Sequence, residues 1–132
     1  MEDIHELRVA VTAEDFDVTR DFYRHEVGLT VETAWDRPDG RGVIFRIPHA
    51  RLAVVDERQA DSIDRAEVGH RVSGPIRLAL GVRDVDAMTA RIESGGTPVL
   101  GTPHAAPWGH RVARVEAPGG MQLTLFSEPT ED

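Results

Sequence analysis

Two stretches decide the fold: Leu7-Arg8-Val9-Ala10-Val11-Thr12 and Ile76-Arg77-Leu78-Ala79-Leu80-Gly81, which match position for position at an offset of 69 residues. The same offset pairs Asp15 with Asp84 and Asp17 with Asp86. A slip of one residue then pairs Gly28 with Gly96 and Val31 with Val99. Self-similarity at one spacing marks a duplicated structural unit. The chain is therefore read as two modules, residues 1–60 and 75–132, joined by a linker over 61–74.

Each module opens on a period-two stretch. Val9 and Val11 alternate with Arg8, Ala10 and Thr12; Leu78, Leu80 and Val82 alternate with Arg77, Ala79 and Gly81. Such alternation is a strand with one face buried. A helix follows in both. Asp15 or Asp17 caps the first, Val18, Phe22 and Val27 give it an apolar stripe, and Gly28 stops it. Asp84 caps the second, with Val85, Met88 and Ile92 as the stripe and Gly95-Gly96 as the stop. Three strands then follow each helix: Thr30–Trp35, Val43–Ile47 and Arg51–Val55, then Pro98–Gly101, Arg111–Glu116 and Met121–Phe126. Turn-forming residues separate them, Ala117-Pro118-Gly119-Gly120 being a tight hairpin signal. The fold class is thus α+β, with tandem βαβββ modules forming a curved-sheet cup and helices outside.

Composition narrows the chemistry. The 132 residues contain no cysteine and no lysine, which removes disulfides, thiolate metal sites, cysteine nucleophiles and Schiff bases. All 15 basic residues are arginine, a planar fork suited to carboxylates, phosphates and aromatic faces. The net charge is −8, of which residues 1–70 carry −7, so nucleic acid is not an expected partner. No apolar run reaches the ~18 residues of a membrane span. Met1-Glu2-Asp3-Ile4-His5 lacks the apolar segment of a secretory leader, and a cytoplasmic location is expected. No dinucleotide fingerprint, phosphate loop or nucleophile elbow is present.

Asp15 followed by Phe22-Tyr23 and Val27-Gly28-Leu29, together with Pro107-Trp108-Gly109-His110-Arg111 and Ala117-Pro118-Gly119-Gly120, resembles the vicinal oxygen chelate superfamily. This superfamily includes glyoxalases, bleomycin-resistance proteins and extradiol dioxygenases. The resemblance covers nearly the whole chain, although Ala117 and Met121 replace the usual Asp and Asn. It implies the cup fold but no single function. Metal-dependent members place His, Glu or Gln in the first and last strands of each module. The corresponding positions here read Arg8, Ala53, Arg77 and Thr124, a poor ligand set, so no metal or other cofactor is expected. The histidines His5, His25, His49, His70 and His104 read as surface positions, whereas His110 opens a strand near the expected mouth of the cup.

Arg8 and Arg77 are pseudo-symmetry mates on the concave face. A buried guanidinium needs a carboxylate or an anionic ligand. Glu6, Glu32 and Glu116 are candidate partners. Glu6, on the same face two residues away, favours a structural role for Arg8; Arg77 has no acidic neighbour and reads as a ligand residue. Trp35, Trp108, Phe45 and Phe126 offer flat walls, and Thr124 and His110 complete the expected ligand-binding set.

The leading expectation is a metal-independent protein of the glyoxalase/bleomycin-resistance type, binding a small aromatic or oxygen-rich molecule, with antibiotic sequestration as one version. The alternatives are a lyase, isomerase or dioxygenase of the same superfamily, metal-dependent or using His110 or Glu116 as base, and a regulatory homodimer with a vestigial cavity. A homodimer is expected in any case.

Overall fold

Eight strands form one open, curved sheet in the computed structural model, which describes residues 4–129. In chain order the elements are β1 (Ile4–Ala13), α1 (Phe16–Asp21), β2 (Thr30–Arg37), β3 (Gly40–Ile47), β4 (Ala50–Asp56), α2 (Glu57–Val68), β5 (Ile76–Val82), α3 (Val85–Ser94), β6 (Val99–Ala105), β7 (Arg111–Glu116) and β8 (Gln122–Ser127). The sheet order is β2-β3-β4-β1-β5-β8-β7-β6. The two halves are joined by the antiparallel pair β1–β5, with Arg8 opposite Ala79 and Ala10 opposite Arg77. Both modules of the cup thus come from one chain, and the duplicated strands meet at the pseudo-symmetry axis.

The period-two reading of β1 and β5 places side chains as expected. Leu80 and Val82 pack under α3 with Val85, Met88, Ile92, Ala113 and Leu125, while Arg77 and Ala79 face the hollow. Asp15 caps α1 through the Val18 amide at 3.1 Å, and Asp84 caps α3 through the Ala87 amide at 3.0 Å.

The stripe expected on the first helix does not pack. Val18, Phe22 and Val27 are 65%, 46% and 51% exposed, and the inward side chains are Phe16 and Tyr23. The reason is geometric. α1 has only six residues and continues over Phe22–Val27 as a wider π-turn, so the 3.6-residue spacing does not carry through. Gly28 closes it at φ 87°, as expected of a left-handed stop.

The segment read as a linker also differs. Residues 57–68 are helix α2, capped by the Asp56 carboxylate on the Gln59 amide at 2.7 Å. α2 lies against the concave face rather than outside the cup: its Gln59, Ile63 and Glu67 line the hollow. Its inward face is Gln59, Ala60, Ile63, Asp64 and Glu67, a helical spacing hidden in the sequence because most of it is polar. β6 runs four residues past its expected end, so His104 lies on a strand. One ring nitrogen sits 2.7 Å from the Thr102 carbonyl and the other 2.7 Å from that of Ala66 on α2. No helix among the described residues is long and apolar enough to cross a membrane.

Candidate functional site

The hollow of the sheet encloses a cavity of about 540 Å³, within the ~300–1,000 Å³ range of ligand sites. All four pseudo-equivalent positions, Arg8, Ala53, Arg77 and Thr124, open into it. Trp35, Trp108, His110 and Phe126 line it as well, so these expected ligand residues come together. Two expected site residues do not join them. Phe45 is fully buried on the opposite face with Ala13, Phe16 and Val54, its ring centroid 6.1 Å from that of Tyr23. Strand parity explains this: on β3 it is Ile44 that reaches the cavity. Glu116 is exposed at the end of β7, paired in register with Gln122, and lies outside the cavity lining.

The arginines divide the work. Arg8 pairs with Glu6, reaches Glu128 Oε1 at 3.5 Å, and stacks over Phe126 with its guanidinium carbon 4.7 Å from the ring centroid. Glu32 instead serves Arg46 at 2.9 Å and Arg51 at 2.8 Å. Arg77 is only 9% exposed, yet among the described residues it has no hydrogen-bond or ion-pair partner. Burial lowers its pKa, opposed by the charge of nearby Glu67 and helped by that of Arg114.

Beside Arg77 lies a buried charge network that the sequence reading missed. Arg114 on β7 has no exposed surface. Its Nε donates to Glu67 Oε1 and Thr124 Oγ1, both at 3.1 Å, and its Nη1 to Gln122 at 3.0 Å. Its Nη2 donates to Asp64 Oδ1 and Glu67 Oε1, both at 2.9 Å. Thr124 Oγ1 donates to Glu67 Oε1 at 2.7 Å. Burial alone would push the Asp64 carboxyl up. The Ser73 and Val72 amides, the Ser73 hydroxyl and Arg114 outweigh it and hold the pKa below the usual value. The signal was present: Arg114 interrupts the apolar run Val112-Ala113-Arg114-Val115, and an arginine there requires buried acids nearby.

The aromatic walls are held in place. Trp35 Nε1 donates to Gln59 Oε1 at 2.6 Å. A Cβ on Gly42 would lie 2.0 Å from the Trp35 ring, so only glycine admits the indole there. Trp108 stands 41% exposed at the mouth, and His110 stacks on Phe126 at 5.4 Å between centroids. Burial, and then the charge of Arg8, lower the His110 pKa. A depressed histidine pKa means that the unfolded chain takes up the proton more readily. Stability should therefore be fully present above the unfolded value of about 6.5 and fall as pH drops below it. An NMR titration placing the His110 pKa at or above that value would contradict this.

The residues at the four equivalent positions do not fit a divalent cation: two guanidiniums repel it, Ala53 offers nothing, and the Thr124 hydroxyl is engaged with Glu67 and Arg114. No group of three or more metal-ligating His, Asp or Glu side chains occurs among the described residues. Of the described acids among residues 4–70, Asp39 and Glu67 line the cavity.

The family model described as glyoxalase/bleomycin resistance protein/dioxygenase superfamily matches residues 7–125. Among solved structures, methylmalonyl-CoA epimerase from Mycobacterium tuberculosis aligns at 20% identity and TM-score 0.65, covering 97% of this chain and 89% of that one. A variant of Streptomyces coelicolor methylmalonyl-CoA epimerase in complex with 2-nitronate-propionyl-CoA aligns at 24% identity and TM-score 0.65, covering 97% and 98%. A hypothetical protein from Bacillus halodurans aligns at 12% identity and TM-score 0.69, covering 98% and 96%. At these identities the likeness is one of fold. No curated protein sequence matches the chain significantly.

Proposed function

We propose that this chain, which belongs to the glyoxalase/bleomycin resistance protein/dioxygenase superfamily, is a metal-independent small-molecule binding protein that holds an aromatic or oxygen-rich ligand in the cup. The observation that carries this reading is the content of the four equivalent positions. Arg8 and Arg77 put cations there, Ala53 has no ligating atom, and the Thr124 hydroxyl is already engaged with Glu67 and Arg114, where a metal site would need free donors. Rigid aromatic walls and a cavity of about 540 Å³ support binding of a small planar molecule. Sequestration of an antibiotic is one form of this function. The cationic interior speaks against a cationic drug, because the acids of residues 1–70 are mostly turned elsewhere.

A thermal-shift screen over phenolics, keto acids and antibiotics tests the reading, since a ligand that binds only the folded state raises the midpoint by mass action. Protein purified without a histidine tag should carry zinc, nickel, iron or manganese far below one equivalent, and chelation should leave ligand binding unchanged. Stoichiometric metal whose removal abolishes binding would replace this reading with the metal-dependent one. His110, a cavity residue with a lowered pKa, supports a metal-free isomerase or lyase as the second reading. A homodimer is part of the proposal, supported by exposed Val18, Phe22 and Val27; a monomeric mass in light scattering at micromolar concentration would remove it.

A further inference from the structure

The cations packed around Arg77 are committed, and Arg37, which also lines the cavity, is 60% exposed and faces Asp39 at 3.9 Å. Arg114 gives Nε, Nη1 and Nη2 to Glu67, Thr124, Gln122 and Asp64. Arg8 is held by Glu6 and Glu128. Asp64 is shared between Arg114 at 2.9 Å and Arg71 at 3.7 Å, and Glu67 pairs with Arg114 at 2.9 Å. Arg71 is itself paired with Glu57 at 3.2 Å, and Arg77 stands outside all of these pairings. It is nine-tenths buried, opens into the cavity, and its donors find no acceptor among the described residues. A guanidinium in that condition is costly unless something brings oxygen atoms to it. A planar carboxylate suits the fork best, and a single unpartnered fork takes a single carboxylate.

We infer that the ligand is a small aromatic monocarboxylate, its carboxylate held by Arg77 and its ring set among Trp35, Trp108 and the His110–Phe126 stack. This rests on the cavity-binding reading above and specifies its ligand class. Trp35 cannot swing away while Gln59 holds its indole N–H at 2.6 Å, so the wall is preorganised. The same cation that anchors an acid repels an ammonium and gains less from an amide.

The matched series 3-phenylpropanoate, 3-phenylpropanamide and 3-phenylpropylammonium isolates the head group. Both tryptophans of the chain line the cavity, so their fluorescence reports occupancy directly. The acid is expected to bind wild type at least 30-fold more tightly than the amide, and the ammonium not measurably. Arg77→Met should bring the acid down to the affinity of the amide, and Arg77→Lys should restore part of the preference. The ligand-free Arg77→Met protein should melt no lower than wild type. Equal binding of acid and amide by wild type, or a preference that survives Arg77→Met, overturns the carboxylate anchor while leaving a cavity-binding protein. A fall of many degrees in the ligand-free midpoint of Arg77→Met makes the arginine structural and overturns it too. If none of the three perturbs tryptophan fluorescence at millimolar concentration, the aromatic-acid assignment fails, and the broader screen alone decides the cavity-binding reading.

Discussion

Replacing Arg114 with methionine should lower the melting midpoint by roughly 10–25 °C, against no loss for the same change at Arg77. The two side chains lie in one cluster and differ in what they leave behind. Arg114 is wholly buried and bonded to two buried carboxylates, Asp64 and Glu67. Its removal takes away the ion-pair partner of Glu67 and leaves Asp64 with the Val72 and Ser73 donors and Arg71 at 3.7 Å. Breaking a buried pair by deleting one partner costs ~3–5 kcal/mol, a large share of the ~5–15 kcal/mol that holds a domain together. Removing Arg77 strands nothing. Chemical denaturation of both variants checks the contrast. Glu67→Leu added to Arg114→Met should recover part of the loss by removing the uncompensated charge, whereas Asp64→Leu should not, because Asp64 also accepts from the Val72 and Ser73 amides. If Arg114→Met melts with wild type, the network contributes nothing to folding.

The same network sets an acid limit. The Asp64 pKa is below its ordinary value in the folded state. Its stabilisation is therefore fully present above the unfolded value of about 3.9 and is lost as pH falls below it. That loss sets in at lower pH than the one associated with His110, which begins below about 6.5.

The repeat made the sheet legible because both copies of the first strand keep strict alternation, and alternation in a half-buried strand fixes which side chains face the hollow. Arg8, Ala53, Arg77 and Thr124 converge for that reason. The split between Arg8 and Arg77 was legible too, since Glu6 shares the face of Arg8 and no acid neighbours Arg77 in sequence. Phe45 was misplaced because its parity relative to Ile44 was not followed through β3. α2 was hidden by chemistry: a helix whose inward face is Gln59, Ala60, Ile63, Asp64 and Glu67 shows little hydrophobic periodicity, and its partners Arg114 and Thr124 lie 47 to 57 residues further on. The stripe on α1 failed because two apolar sets, Phe16 with Tyr23 and Val18 with Phe22 and Val27, compete for the core, and a widened turn decided between them.

Gly101 tests the placement of α2 most directly. A Cβ at this position on β6 would lie 2.1 Å from the Glu67 carbonyl oxygen and 3.1 Å from its carbon. Neither atom can yield without moving the backbone of the last turn of α2. That turn carries Ala66, whose carbonyl meets His104, and Glu67, whose carboxylate holds Arg114 and Thr124. Gly101→Val should therefore cost at least the ~1–3 kcal/mol typical of overpacking, lowering the midpoint by roughly 5–15 °C, and Gly101→Ala should already show much of the loss because the Cβ itself collides. Gly96→Ala is the control: its φ of 94° strains the backbone, but nothing lies within 4 Å of the new methyl, so the cost stays near ~1 kcal/mol. Displacing α2 also shifts Gln59, Ile63 and Glu67 in the cavity wall, so ligand affinity should fall in the Gly101 variants and hold in Gly96→Ala. A Gly101→Val protein that melts with wild type would mean that α2 does not dock against β6 as described, and the wall assigned to the cavity would have to be redrawn.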